Sequence, residues 1–163
     1  MVWPNVISTW VDFIGLMFLI SLSAMICLID LTRQIIPDRC NAVLALGGAI
    51  WMGLSQGGLF WRCLEALVAA LLIAGLSALY QQQRQRRGLG GGDIKILVAA
   101  TLWVGLAGLP WLVLAASMSG LAEVTIRMAS RQVVDSSTKI AFGPHLCLGL
   151  LLSWLGRDYT AIL

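Results

Sequence analysis

The chain has 163 residues, 59% of them hydrophobic and only 12% charged, whereas a soluble domain carries about a quarter charged; an ordinary water-facing surface around one core is excluded. A net charge of +3 without a basic stripe argues against nucleic acid as a partner. The expected partner is the lipid bilayer, where only helices or a closed barrel satisfy the backbone, and long apolar runs rich in Leu, Ala, Ile and Gly predict helices.

In chain order, the stretch from Met1 to Trp10 holds no Lys or Arg, so it lacks the basic region of a signal peptide and the first apolar segment is expected to be retained. The fold class is all-α, a single polytopic domain over residues 1–163 with six predicted spans: 7–29, 40–54, 64–80, 94–107, 109–126 and 140–155. The fourth and fifth are nearly continuous. They are divided at Gly105 to Pro110, because Gly and Pro punctuate there and an unbroken helix would overshoot the bilayer.

Lys and Arg are retained on the cytoplasmic side of short loops. With both termini outside, nine fall inside (Arg33, Arg39, Arg84, Arg86, Arg87, Lys95, Arg127, Arg131, Lys139) and two outside (Arg62, Arg157). Trp10, Trp51, Trp61, Trp103, Trp111 and Trp154 all fall in or near the outer half, as an interfacial belt would. Arg84, Arg86 and Arg87 read as a topology anchor.

Cys27, Cys40, Cys63 and Cys147 form no CxxC pair, and the single His145 completes no ligand set. No metal site, disulfide framework or cofactor is expected.

Two acids stand at span ends. Asp30 closes the first span and Asp93 opens the fourth, directly after Gly90-Gly91-Gly92. The chain crosses twice between them, so both carboxylates arrive at the cytoplasmic face at similar depth. An acid in a span is costly toward the helix centre. Two carboxylates in one low-dielectric place share a proton, so one can act as base on water while the other polarises a scissile carbonyl. Helix ends in solvent are the competing account of each Asp. The glycines permit close approach of a substrate strand, or serve as a flexible linker before an Asp cap. A phosphate loop fails, since no Gly-Lys-Ser/Thr follows.

The sequence resembles the type IV prepilin peptidases, which belong with the GxGD aspartyl proteases. Leu28-Ile29-Asp30 followed by Ile36-Pro37-Asp38 is similar to the first aspartate motif of that family, Gly90-Gly91-Gly92-Asp93-Ile94-Lys95 to its GxGDxK motif, and Phe142-Gly143-Pro144 to its FGP segment. The resemblance implies catalytic roles for Asp30 and Asp93, substrate-side or site-shaping roles for Gly90, Gly91, Gly92, Pro37, Phe142, Gly143 and Pro144, and no metal. Lys95 either tunes the acids or marks a cytoplasmic helix end. The implied reaction is removal, after a Gly, of a basic leader from a prepilin or pseudopilin precursor at the cytoplasmic face of a bacterial inner membrane. Many relatives carry an amino-terminal domain linked to methylation. This chain begins almost at once with a span, so cleavage without methylation is expected, as in short members resembling tight-adherence pilus and preflagellin peptidases.

Other residues carry weaker expectations. His145 either lies at a polar interface or touches substrate. Glu123, inside the fifth span, is expected to pair with a basic residue. Asp38 either attracts the basic leader or solvates its loop. Two other functions remain open: a transporter or assembly scaffold using boundary carboxylates, and an inactive relative that binds precursors without cutting. A transporter would place its acids nearer mid-membrane.

Overall fold

A computed structural model describes residues 6–55, 58–84, 90–130 and 141–157. Arg86, Arg87, Arg131, Lys139, Ile140 and the two chain ends lie outside the described residues, as does the Arg84 side chain. Uninterrupted apolar runs form helices here: α1 (Val6–Arg33), α2 (Asp38–Ser55), α3 (Leu59–Arg84), α4 (Gly91–Ala129) and α5 (Gly143–Leu155). Three of them, α1, α3 and α4, contain stretches long and apolar enough to cross a bilayer, with mean hydropathies of 2.4, 2.1 and 2.0. The chain is therefore an all-helical membrane protein, as its composition predicts.

Helix α1 stops where Gln34 adopts a left-handed φ of 51° and its N–H returns to the Asp30 carbonyl at 2.8 Å, a common helix ending that satisfies one orphan carbonyl. Pro37 starts the next helix, its carbonyl accepting the Cys40 N–H at 3.0 Å.

The predicted fourth and fifth spans form one helical run, α4, with Gly105 as its single non-helical residue (φ 74°, ψ 172°). A straight helix would put Gly120 about 40 Å from Asp93 at about 1.5 Å per residue. Yet Gly120 lies against Phe142 and His145, while Asp93 lines one cavity together with Phe142. The chain therefore reverses at Gly105, and its arms, 91–104 and 106–129, run back along each other's direction. Glu65 of α3 holds the reversal: its Oε2 accepts the Leu106 N–H at 3.0 Å and the Arg62 guanidinium at 3.0 Å. A side chain at Gly105 would overlap that guanidinium. Pro110, also expected at the break, sits within the second arm.

The core is built on Trp103 of the first arm, only 2% exposed. Its Nε1 donates to the Leu44 carbonyl of α2 at 2.8 Å, and its ring stacks on Phe18 at 5.8 Å and Trp51 at 5.7 Å. Gly48 admits this ring, since a Cβ there would lie 2.9 Å from it; small residues let helices approach in this way. Trp51, Trp103 and Trp154 are buried, which corrects their expected place in an interfacial belt. Ring contacts hold all three, and ring N–H bonds hold Trp51 and Trp103, against exposure to the headgroups. Trp10, Trp61 and Trp111 are exposed.

One end of the bundle gathers the end of α1 with the starts of α2, α4 and α5. At the other end, Asp12 accepts from Trp51 Nε1 at 3.0 Å and pairs with Arg157 at 2.8 Å, whose guanidinium lies 3.9 Å from the Trp154 ring centroid. Between Asp12 and Asp30, α1 rises about 27 Å, close to the thickness of a hydrocarbon core.

Candidate active site

Asp30 faces inward from the last turns of α1 and is 5% exposed. Its Oδ2 accepts the Gly143 N–H at 2.8 Å, so the first turn of α5 supplies one of the carboxylate's partners. Gly143 has no room for a side chain: a Cβ would stand 2.6 Å from that same oxygen. Pro144 follows at the helix start, where its missing N–H costs nothing and its fixed φ suits the first turn.

Asp93 stands in the first turn of α4. The three preceding glycines are not equivalent. A Cβ at Gly90 would lie 2.8 Å from Asp93 Oδ2, and one at Gly92 would lie 3.0 Å from the Ile36 Cβ, whereas at Gly91 nothing lies within 4 Å. Close approach thus falls on the first and third glycine, the two fixed positions of a GxGD pattern. The Gly92 contact also ties this segment to the loop after α1, where Ile36 is buried.

Asp30 and Asp93 line one cavity of about 390 Å³. Its other walls are Gln34, Ile35 and Ile36 from the α1–α2 connection, Gly90, Gly91 and Gly92, and Ala141 and Phe142 before α5. Three segments separated by long stretches of chain therefore meet around two carboxylates, with apolar side chains beside them.

Pro37, Lys95, Gly143 and Pro144 are not among these walls. Lys95 Nζ meets Asp38 Oδ1 at 2.6 Å, with both side chains more than half exposed. The pair joins the start of α4 to the start of α2. Its exposure limits its strength to about 1 kcal/mol or less, and the Asp38 charge is answered from within the chain. Glu123 pairs with Arg127 and with His145, at 2.8 Å from Nε2, so the basic partner expected for it exists. Among the described residues, no three His, Cys, Asp or Glu side chains converge as a metal site would require.

Sequence reading missed Gln34, Ile35 and Ala141 as cavity walls. Ile35 and Ala141 are apolar and flank the motifs, and only the folded backbone shows which neighbours turn inward. Glu65 was missed because its partner, the Leu106 amide, is 41 positions away.

The fold and cavity define a class: a helical membrane protein that brings two carboxylates to one glycine-lined cavity. The family model described as "Type IV leader peptidase family" matches residues 17–124, and the chain belongs to that family. Among curated relatives it is 31% identical over 157 residues to a prepilin leader peptidase/N-methyltransferase of Pectobacterium carotovorum, covering 91% of this chain and 52% of that protein. It is 32% identical to the one from Escherichia coli K12, covering 90% and 63%. With a protein named leader peptidase HopD of Salmonella typhimurium it shares 31% identity over 87% of this chain and 95% of that protein. The chain spans about half the length of the first of these relatives. No solved structure matches it.

Proposed function

We propose that this protein is an intramembrane aspartic endopeptidase that removes the basic leader from a prepilin or pseudopilin precursor, with Asp30 and Asp93 as its catalytic pair. The observation that carries this reading is the meeting of the two carboxylates, the glycine segment and the Phe142-Gly143 turn around one cavity. The longer relatives are named for both peptidase and N-methyltransferase, and the Salmonella protein, matched over nearly its whole length, for the peptidase alone. The matched residues accordingly carry the cleaving function.

Asp30, whose Oδ2 already holds the Gly143 N–H, is assigned as the base that takes a proton from water. Asp93, beside the glycines where an extended substrate would lie, donates its proton to the scissile carbonyl oxygen. Water adds to the carbonyl carbon to give a gem-diol; the C–N bond then breaks as Asp30 passes its proton to the leaving nitrogen and a gem-diol hydroxyl returns a proton to Asp93. A helical substrate hides its carbonyls in hydrogen bonds, so its chain is extended at the cut, beside the glycine segment that lines the cavity.

In the proposed topology the chain crosses an inner membrane six times, with the two arms of α4 as separate spans, both termini outside and the cavity at the cytoplasmic face. The placement of Lys and Arg supports it. The test is cleavage of a precursor bearing a basic leader and an apolar helix, followed by mass and by the new amino terminus. Asp30→Asn and Asp93→Asn each insert normally and abolish leader removal. Persistent cleavage by either variant refutes the assignment.

A further inference from the structure

His145 is buried two residues beyond Gly143, in the first turn of α5, and both of its ring nitrogens are engaged by α4. Nε2 lies 2.8 Å from Glu123 Oε2, and Nδ1 lies 3.0 Å from Ser119 Oγ, a hydroxyl that also reaches the Ala116 carbonyl at 2.9 Å. The other oxygen of Glu123 is taken by Arg127. Ser119, Glu123 and Arg127 follow one another at four-residue spacing, so they share one face of the second arm of α4. The ring edge of His145 also packs beside Gly120, 3.7 Å from where a Cβ would be, and its plane is tilted against Phe142, a wall of the cavity, at 6.0 Å between centroids.

A histidine that only filled space would not need polar partners on both sides. Two hydrogen bonds from fixed points one helical turn apart set both the rotation and the axial position of the turn that carries the ring. The same turn carries the Gly143 N–H, whose bond to Asp30 Oδ2 is 2.8 Å long. We propose that His145, clasped between Ser119 and Glu123, is a positioning residue for the reaction, fixing the first turn of α5 so that the Gly143 N–H holds Asp30 in its reactive orientation. This rests on the reading of Asp30 as catalytic. The chain of contacts runs from Arg127 through Glu123, His145 and Gly143 to Asp30, and none of its first three members lines the cavity.

A shift of about 1 Å in a reacting group costs roughly 100-fold in rate, so losing the clasp is expected to lower kcat by about 10- to 100-fold. KM is expected to stay as in the parent, because the clasp touches no cavity wall except Phe142. The experiment uses the purified full chain in proteoliposomes, with initial rates on a precursor carrying a basic leader and an apolar helix, normalised to folded protein. His145→Ala and Glu123→Ala each lose kcat at constant KM. The double variant loses little more than either, since both break one connection. Glu123→Gln, whose amide oxygen still accepts from Nε2, recovers most of kcat.

Parental kcat in Glu123→Ala overturns the proposal, as does a loss accounted for wholly by a smaller folded fraction, or a Glu123→Gln as impaired as the alanine variant. If His145→Ala does not fold, the two Glu123 variants decide the matter between them. Cleavage by Asp30→Asn removes the catalytic reading and the proposal together; an inactive Asp30→Asn beside a fully active Glu123→Ala overturns the proposal alone.

Discussion

Replacing Gly143 with alanine adds one carbon at a place where the nearest atoms belong to Asp30: Oδ2 at 2.6 Å, Cγ at 3.0 Å and Cβ at 3.2 Å. Ordinary contact begins near 3.4 Å, so the carboxylate oxygen has to retreat by about 0.8 Å. Alanine is itself a better helix former than glycine by up to about 1 kcal/mol, so the substitution does not unwind α5, and the damage falls on the carboxylate and its bond to the 143 N–H. A displacement near 1 Å costs about 100-fold in rate, equivalent to about 2.7 kcal/mol on the barrier. The assay is the initial rate of leader removal in proteoliposomes, with the thermal midpoint of the same preparation as a check on folding. The natural comparison is Gly75→Ala on α3, outside the cavity, where the added carbon meets nothing within 4 Å and the loss is expected to stay below about threefold. A Gly143→Ala protein with kcat within threefold of the parent would refute the argument that the FGP turn shapes Asp30 by direct contact.

Gly105→Ala places a side chain in a backbone region almost reserved for glycine, at a cost of about 1–3 kcal/mol, and drives it into the Arg62 guanidinium; a lowered thermal midpoint in detergent is expected, and an unchanged one speaks against a fixed reversal there. Lys95→Ala breaks the exposed pair with Asp38 and is expected to cost less than about 1 kcal/mol in denaturant titrations. A larger loss would show that this pair holds the site's two sides together more firmly than its exposure allows.

How much of this was legible beforehand follows from the range of each interaction. Two helices, α2 and α3, separate Asp30 from Asp93, and counting apolar runs finds both, so bringing the acids to one end required only local pattern. The break near Gly105 was likewise visible, because glycine and proline interrupt a helix wherever they occur, although the structure uses Gly105 alone. The tryptophans were misread for the opposite reason. Position along a span gives the depth of Trp51, Trp103 and Trp154 but not their azimuth, and azimuth decides between lipid and core. Ser119 and Glu123 could be placed on one helix face by their spacing, yet the residue facing them, His145, lies more than twenty positions away with no pattern linking them. The unequal glycines before Asp93 are a similar case: three identical letters acquire different roles only from what Ile36 and Asp93 place beside them.

The one-residue reversal at Gly105 also governs where the molecule can be handled. Tags, labels and protease sites are tolerated at exposed tips of connecting segments, and between the two arms of α4 no such segment exists. An insertion there would part the Leu106 amide from the Glu65 carboxylate and lift the second arm off α3. The neighbouring ends of α1, α2 and α5 are likewise tied together, through Asp12, Trp51 and Arg157, so among the described residues that end of the bundle is held by side-chain bonds that an inserted segment would break.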